Sequence, residues 1–151
     1  MTKYILGFLF LGILFASCSK DEDQAIVDQR IIEQYLQDNN INAQEHPSGL
    51  YYLIDTPGTG GHPDIMDSVE VRYKGYLTNG FIFDQTPSGQ TSKFPLMNLI
   101  EGWQVGIPLL QKDGKGTLYL PSGFGYGSNS NAVIPANSVL IFDIELIDFW
   151  R

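Results

Sequence analysis

The sequence runs to 151 residues, 43% hydrophobic and 13% aromatic, with a formal net charge of -8. That length and composition allow one domain with a substantial core, and the acidity, with no basic stripe anywhere, excludes a nucleic-acid binder. A single cysteine, Cys18, excludes an internal disulfide and a cysteine-built metal site, while 16 glycines and 8 prolines favour a turn-rich β domain over a helical bundle.

Residues 1–17 read as a signal peptide. Lys3 supplies the positive start, Tyr4 to Phe15 form an unbroken run of apolar residues and glycine, and the small residues Ala16 and Ser17 precede Cys18. The apolar run is shorter than the roughly 20 residues a spanning helix needs. Its small-small-Cys ending resembles the lipobox of bacterial lipoproteins, which implies lipidation of Cys18 and attachment to a membrane through that anchor. The alternative is a plain secretory leader with an incidental cysteine; acylation would spare an exported chain a lone oxidisable thiol. Residues 18–23, with Lys20-Asp21-Glu22-Asp23, read as a solvated acidic tether. A short acidic run just after a lipidated cysteine also resembles the surface-export signal of Bacteroidetes lipoproteins. The expected location is exported and lipid-anchored to the bacterial envelope, at the outer membrane or the cell surface.

Residues 24–45 form a helix and a linker. Val27, Ile31 and Tyr35 fall at helical spacing beside Ile32 and Leu36, predicting an amphipathic helix from Asp23 to Asn40. Asp23 is placed to cap its start and Asp38-Asn39-Asn40 to end it. Its polar residues form no catalytic grouping, so it reads as a spacer or packing element.

His46-Pro47-Ser48-Gly49 breaks the pattern and opens a domain spanning 46–151. A short strand, Leu50 to Ile54, leads into the loop Thr56 to Gly61, which lacks the lysine of a phosphate-binding loop and reads as a turn. From Ser68, Val69, Val71 and Tyr73 alternate with Glu70, Arg72 and Lys74, predicting a half-buried strand to about Leu77. Asn79-Gly80 predicts a hairpin returning through Phe81-Ile82-Phe83. A helix is predicted over Asn98–Leu110, apolar at Leu99, Ile100, Trp103 and Ile107, with Pro108 stopping or bending it. Lys115–Leu120 and Ser138–Phe149 read as further strands. Gly123-Phe124-Gly125-Tyr126-Gly127 has the glycine spacing of a dinucleotide loop, but Ser128 to Asn131 and Pro135 replace the helix such a loop requires. His46 and His62 stand alone, with no hydrolytic or metal-ligand spacing, so no cofactor is expected. The fold class is α+β, antiparallel strands gathered around one short helix.

The blocks Val71-Arg72-Tyr73-Lys74-Gly75-Tyr76-Leu77, Gly80, Phe83-Asp84, Leu99-Ile100 with Gly102-Trp103, Leu120-Pro121 with Tyr126-Gly127, Ile134-Pro135, and Leu140 to Leu146 follow one another in an order and spacing that resemble the FKBP family of peptidyl-prolyl cis-trans isomerases. The resemblance covers about residues 49–149, and the preceding helix resembles the N-terminal spacer helices of bacterial members. It implies a five- or six-stranded antiparallel sheet wrapped around the Asn98–Leu110 helix. It also implies an apolar pocket in which Asp84, Tyr126, Ile100 and Trp103 carry catalysis. Trp103 would form the floor, and Tyr126 and the Ile100 backbone N–H would hydrogen-bond the ligand's carbonyls. Substrate would further touch Tyr73, Phe83, Phe94, Leu99, Val133, Ile134 and Phe142. The implied partners are proline-containing polypeptides and, in the same pocket, macrolide inhibitors. Two departures stand out: the stretch from Asp84 to Leu99 is shorter than in the smallest members, leaving Phe94 as the extra aromatic wall, and asparagines stand between Tyr126 and Pro135 where some members place histidine.

Taken singly, Tyr73, Phe83 and Phe142 are ordinary core aromatics of a β domain. Asp84 is harder to dismiss, because a carboxylate next to Phe81-Ile82-Phe83 is costly to bury unless hydrogen-bonded. The chemistry suits such a pocket. Turning an X–Pro bond means crossing a barrier of about 18–20 kcal/mol set by amide resonance, which requires no nucleophile, metal or cofactor. A dry aromatic cavity disfavours the polar planar amide relative to the twisted one, which is catalysis by differential binding. The alternative is a binding module on the same fold that holds chains without turning them.

Overall fold

The structure, a computed structural model, describes residues 20–151. The signal-peptide and lipidation readings, Cys18 included, lie outside the described residues.

Helix α1 spans Lys20–Asp38, so residues 20–23 of the expected tether form its first turn and Asp23 lies inside it. It ends as the asparagines require. Asn40 adopts a left-handed φ of 54°, the Ile41 N–H donates to the Leu36 carbonyl at 2.9 Å, and the Asn40 N–H donates to Gln37 at 3.1 Å. This is the Schellman ending, with Ile41 packed in one cluster with Leu36. The buried stripe of α1 is Asp28, Ile32 and Leu36, whereas Val27 and Ile31 are exposed. The periodicity of apolar residues included Ile32 and Leu36 but centred the stripe toward Val27 and Ile31, because it does not count an aspartate as an inward-facing residue.

Seven antiparallel strands form one sheet: β1 (Gln44–Glu45), β2 (Tyr51–Thr56), β3 (Ser68–Leu77), β4 (Ile82–Gln85), β5 (Ser92–Pro95), β6 (Lys115–Leu120) and β7 (Leu140–Trp150). The order is β1-β2-β6-β7-β3-β4, and the long β3 also pairs with β5 along its first half. The strand count exceeds the expected five or six because β1 and β5 are short edge pieces. A two-residue strand shows no alternation, and the Ser92–Pro95 segment ends in a proline that donates nothing to a ladder.

The register divides the side chains cleanly between faces. Tyr51, Tyr119 and Ile141 sit in one cross-strand row, and α1 covers that face with Ile32 and Leu36. Tyr52, Leu118, Phe142 and Gly75 form the neighbouring row, which points to the other face and the main core.

Across that second face lies the segment predicted as one helix over 98–110. Only α2 (Glu101–Gly106) is α-helical; 3₁₀ turns occupy Leu96–Asn98 and Ile107–Leu109, and Leu99 and Ile100 are extended between the first turn and α2. Pro108, which has no N–H to give, falls in the last 3₁₀ turn. Helix α2 lies flush on β6 through two glycines one turn apart. A Cβ on Gly102 or Gly106 would sit 2.4 Å from the Cδ1 of Leu120 or Leu118 respectively. Beyond α1 the first face is charged, with Arg72 and Lys115 both on Glu145 at 3.0 and 3.3 Å and Lys74 on Asp143 at 2.9 Å. Exposed pairs of this kind add little stability. No helix among the described residues is long and apolar enough to cross a membrane.

Candidate active site

The aromatic residues of β3, β4, β5 and β7 converge on α2. Tyr73, Phe83, Asp84, Phe94, Leu99, Ile100, Trp103, Tyr126 and Phe142 line one cavity of about 190 Å³. Trp103, 4% exposed, lies at its base and meets the ring of Tyr73 at 5.1 Å, Phe142 at 5.3 Å and Phe94 at 6.2 Å, all edge to face. Each contact sets a positive ring edge against a negative face, the geometry aromatic pairs prefer. The buried indole N–H has no hydrogen-bond partner among the described residues.

Two backbone features make this convergence possible. Gly75 pairs with Phe142, and a Cβ there would lie 2.7 Å from Phe83 and 2.8 Å from Phe142. Its missing side chain admits both rings, which stand edge to face at 5.5 Å. On a regular strand, Phe83 and Asp84 would point to opposite faces. The β3–β4 register slips between Gly75↔Asp84 and Tyr76↔Ile82, leaving Phe83 as the extra residue, and this bulge brings both neighbours to the cavity.

The polar groups are few. Asp84 is exposed at the rim and accepts from the Tyr73 hydroxyl at 2.7 Å. Burial, and then this carboxylate, push the Tyr73 phenol well above its ordinary value. The Tyr73 backbone is fixed by Thr86, whose hydroxyl accepts its N–H at 3.0 Å and whose N–H donates to its carbonyl at 2.9 Å. The Ile100 carbonyl accepts from the N–H groups of Trp103 and Gln104, and the Gln104 amide donates to the Leu99 carbonyl at 2.7 Å. No described residue accepts from the Ile100 N–H, nor is the Tyr126 hydroxyl hydrogen-bonded among the described residues. Both are donors without a partner among the described residues.

Val133 and Ile134, expected to line the pocket, do not line this cavity. Asn131 accepts both their N–H groups on its side-chain oxygen, at 2.9 and 2.8 Å. That turn leaves Val133 48% exposed and sends Ile134, 3% exposed, into the core. Sequence reading passed over Gly75 as a spatial requirement and Thr86 altogether. The second carries no signal, since a threonine before a proline is unremarkable turn chemistry. A larger hollow of about 540 Å³ shares Tyr73 but is walled by Arg72, Lys74, Lys115, Asp143 and Glu145. Its charges suit no proline ring. No cluster of three or more His, Cys, Asp or Glu residues among the described residues could hold a metal.

The model of the FKBP-type peptidyl-prolyl cis-trans isomerase family matches residues 60–147. The chain is 38% identical over 132 residues to the FKBP-type peptidyl-prolyl cis-trans isomerase FkpA of Aeromonas hydrophila, covering 85% of this chain and 49% of the relative. It is 46% identical over 103 residues to FkpA of Buchnera aphidicola from Schizaphis graminum, covering 67% and 41%. The chain thus spans about half the length, or less, of these curated relatives. Among solved structures it resembles FkpA from Escherichia coli, with TM-score 0.73 and 33% identity over 86% of this chain and 62% of that one. It also resembles a peptidyl-prolyl cis-trans isomerase from Pseudomonas syringae, with TM-score 0.72 and 30% identity over 89% and 99%. The matched span holds every residue that lines the cavity together with the bulge that shapes it, and the chain belongs to the FKBP-type peptidyl-prolyl cis-trans isomerase family.

Proposed function

We propose that this chain accelerates cis-trans isomerisation of X–Pro bonds in exported or envelope proteins, as a folding catalyst. The observation that carries the reading is a small aromatic cavity with two free hydrogen-bond donors at its edge, the Ile100 N–H and the Tyr126 hydroxyl. A volume of about 190 Å³ is below the roughly 300–1,000 Å³ of pockets that enclose drug-sized ligands. It suits one proline ring, or the ring a macrolide inhibitor would insert, rather than a whole solute. With the ring on Trp103, the two donors hold the carbonyls on either side. The Asp84 charge favours the electron-poor carbonyl carbon left when the nitrogen lone pair turns out of conjugation. The planar amide, with its larger charge separation, loses more solvation in this cavity than the twisted one does, while the donors hold the chain in place for the turn.

The test is two-dimensional exchange NMR on a Leu-Pro peptide with the full chain at substoichiometric amounts. Cis-trans cross-peaks at mixing times where the free peptide shows none are expected. Binding without exchange would leave a module that holds chains and does not turn them.

We propose further that the chain is a lipoprotein, cut before Cys18 and anchored to the envelope, at the outer membrane or the cell surface, through an acylated Cys18. The Ala16-Ser17-Cys18 ending supports this. Cys18→Ala is expected to move the protein from the membrane fraction to the soluble one and to remove the acyl mass from the N-terminal peptide. An unchanged membrane fraction with an unchanged peptide mass would contradict the anchor.

A further inference from the structure

Asp28 of α1 is 1% exposed, and among the described residues no cation stands among its partners. It occupies the helical position where an aliphatic residue, one turn before Ile32, would have sealed α1 against the sheet. A carboxylate there is costly unless donors surround it. One oxygen accepts from the Gln24 amide at 2.8 Å; the other accepts both the backbone N–H of Ser122 at 2.7 Å and its hydroxyl at 2.5 Å.

Ser122 in turn holds Tyr126. Its carbonyl accepts the N–H groups of Gly125 at 3.0 Å and Gly127 at 2.8 Å, the two residues that flank Tyr126. Among the described residues the Tyr126 hydroxyl has no hydrogen-bond partner, so its position in the cavity wall is set by backbone bonds: these two, the Asn129 N–H on the Tyr126 carbonyl at 3.1 Å and the Asn137 N–H on the Gly127 carbonyl at 2.7 Å. Packing braces the joint on one side, where a Cβ on Gly125 would lie 2.5 Å from the Cδ1 of Leu140, and leaves it open on the other. A hollow of about 330 Å³ lies beside it, lined by Gln24, Asp28, Ser122, Gly123, Gly127 and Asn137 among others. Without the hydrogen bonds, the loop has room to shift.

We propose that Asp28 is a positioning residue for isomerisation, holding the Tyr126 hydroxyl at the substrate carbonyl through Ser122, so that the N-terminal helix is part of the catalytic apparatus and not only a spacer. The proposal rests on the isomerase reading above. It predicts a coupling between positions 28 and 126 that a purely structural Asp28 would not produce.

The experiment is a double-mutant cycle in the full chain, with kcat and KM measured on a Leu-Pro peptide. Asp28→Ala is expected to lower kcat/KM about fivefold, with kcat falling too, since a displaced hydroxyl no longer holds the bound chain in the pose that turns. In a Tyr126→Phe background the same change should cost less than about twofold, because the hydroxyl being positioned is gone. Equal losses in both backgrounds, or none in either, would overturn the proposal. Should Asp28→Ala not fold, Ser122→Ala, which removes only the hydroxyl bond, runs through the same cycle under the same criterion. Hydrogen exchange supplies a readout independent of catalysis. The Gly125 and Gly127 amides should exchange roughly tenfold faster in the position-28 or position-122 variant while those of β6 and β7 do not. Unchanged protection at both glycines would sink the proposal. If the wild-type chain gives no catalysis, the isomerase reading falls, and exchange at Gly125 and Gly127 alone decides whether Asp28 holds the loop.

Discussion

Replacing Phe142 by alanine is expected to lower stability by about 3–5 kcal/mol, a drop of roughly 10–20 °C in melting temperature for a domain of this size. Phe142 is 4% exposed on β7, bonded on one side to β6 and on the other to β3. Its ring meets Phe83 at 5.5 Å and Trp103 at 5.3 Å. The cost falls at the high end because the site cannot collapse. Its ladder neighbour Gly75 has no side chain to swing into the void, and both flanking strands are held in register. Catalysis should fall with stability, since Phe83 and Trp103 would lose the ring that sets their angles. Thermal unfolding followed by circular dichroism, with peptide exchange measured well below the transition, checks both. A loss under about 1 kcal/mol would mean that the walls repack and that Phe142 is not the keystone assigned to it.

Asp84→Asn should behave in the opposite way, lowering kcat/KM about tenfold, or roughly 1.4 kcal/mol of transition-state stabilisation, while the melting temperature moves little. The carboxylate is exposed, so no desolvated charge is rescued or stranded by the change. An asparagine oxygen can still accept the Tyr73 hydroxyl that now donates at 2.7 Å. What disappears is the charge, and with it the stronger ionic hydrogen bond that fixes the Tyr73 ring and the negative field at the cavity mouth. Steady-state kinetics beside a melting curve separates the outcomes. Full activity in the variant, or unfolding as severe as that of Phe142→Ala, would make Asp84 a structural residue and remove its catalytic role.

Most of the cavity was legible before any coordinates, and the physical reason is locality. Tyr73, Phe83, Leu99, Ile100, Trp103, Tyr126 and Phe142 sit in blocks whose order and spacing carry the family resemblance, Phe94 lies in the shortened stretch between two of them, and the structure gathers all eight with Asp84 at one cavity. Long strands announced themselves as well. Val69 and Val71 are fully buried between the more exposed Glu70 and Arg72, and such alternation over many residues has few other readings. Short elements did not, because β1 and β5 are too brief to show a period. The helix over 98–110 was right in place and wrong in form, since apolar spacing cannot tell one α-helix from a six-residue α-helix between two 3₁₀ turns.

By itself, then, the sequence determined the class of the fold and the strands that carry alternation, which follow from residue type at fixed spacing, and, through the family resemblance, the set of rings that meet over Trp103. Only the tertiary structure decided three things. It placed the bulge at Phe83 that lets adjacent residues face one cavity, because register depends on how β3 and β4 slide against each other. It turned Ile134 into the core and Val133 to solvent, because the Asn131 side chain captures both N–H groups. And it rotated α1 so that Asp28 faces inward, because the donors that make this tolerable belong to Ser122, 94 residues away along the chain. No local pattern encodes a partner at that distance; the carboxylate's place is set by what it meets once the chain has folded.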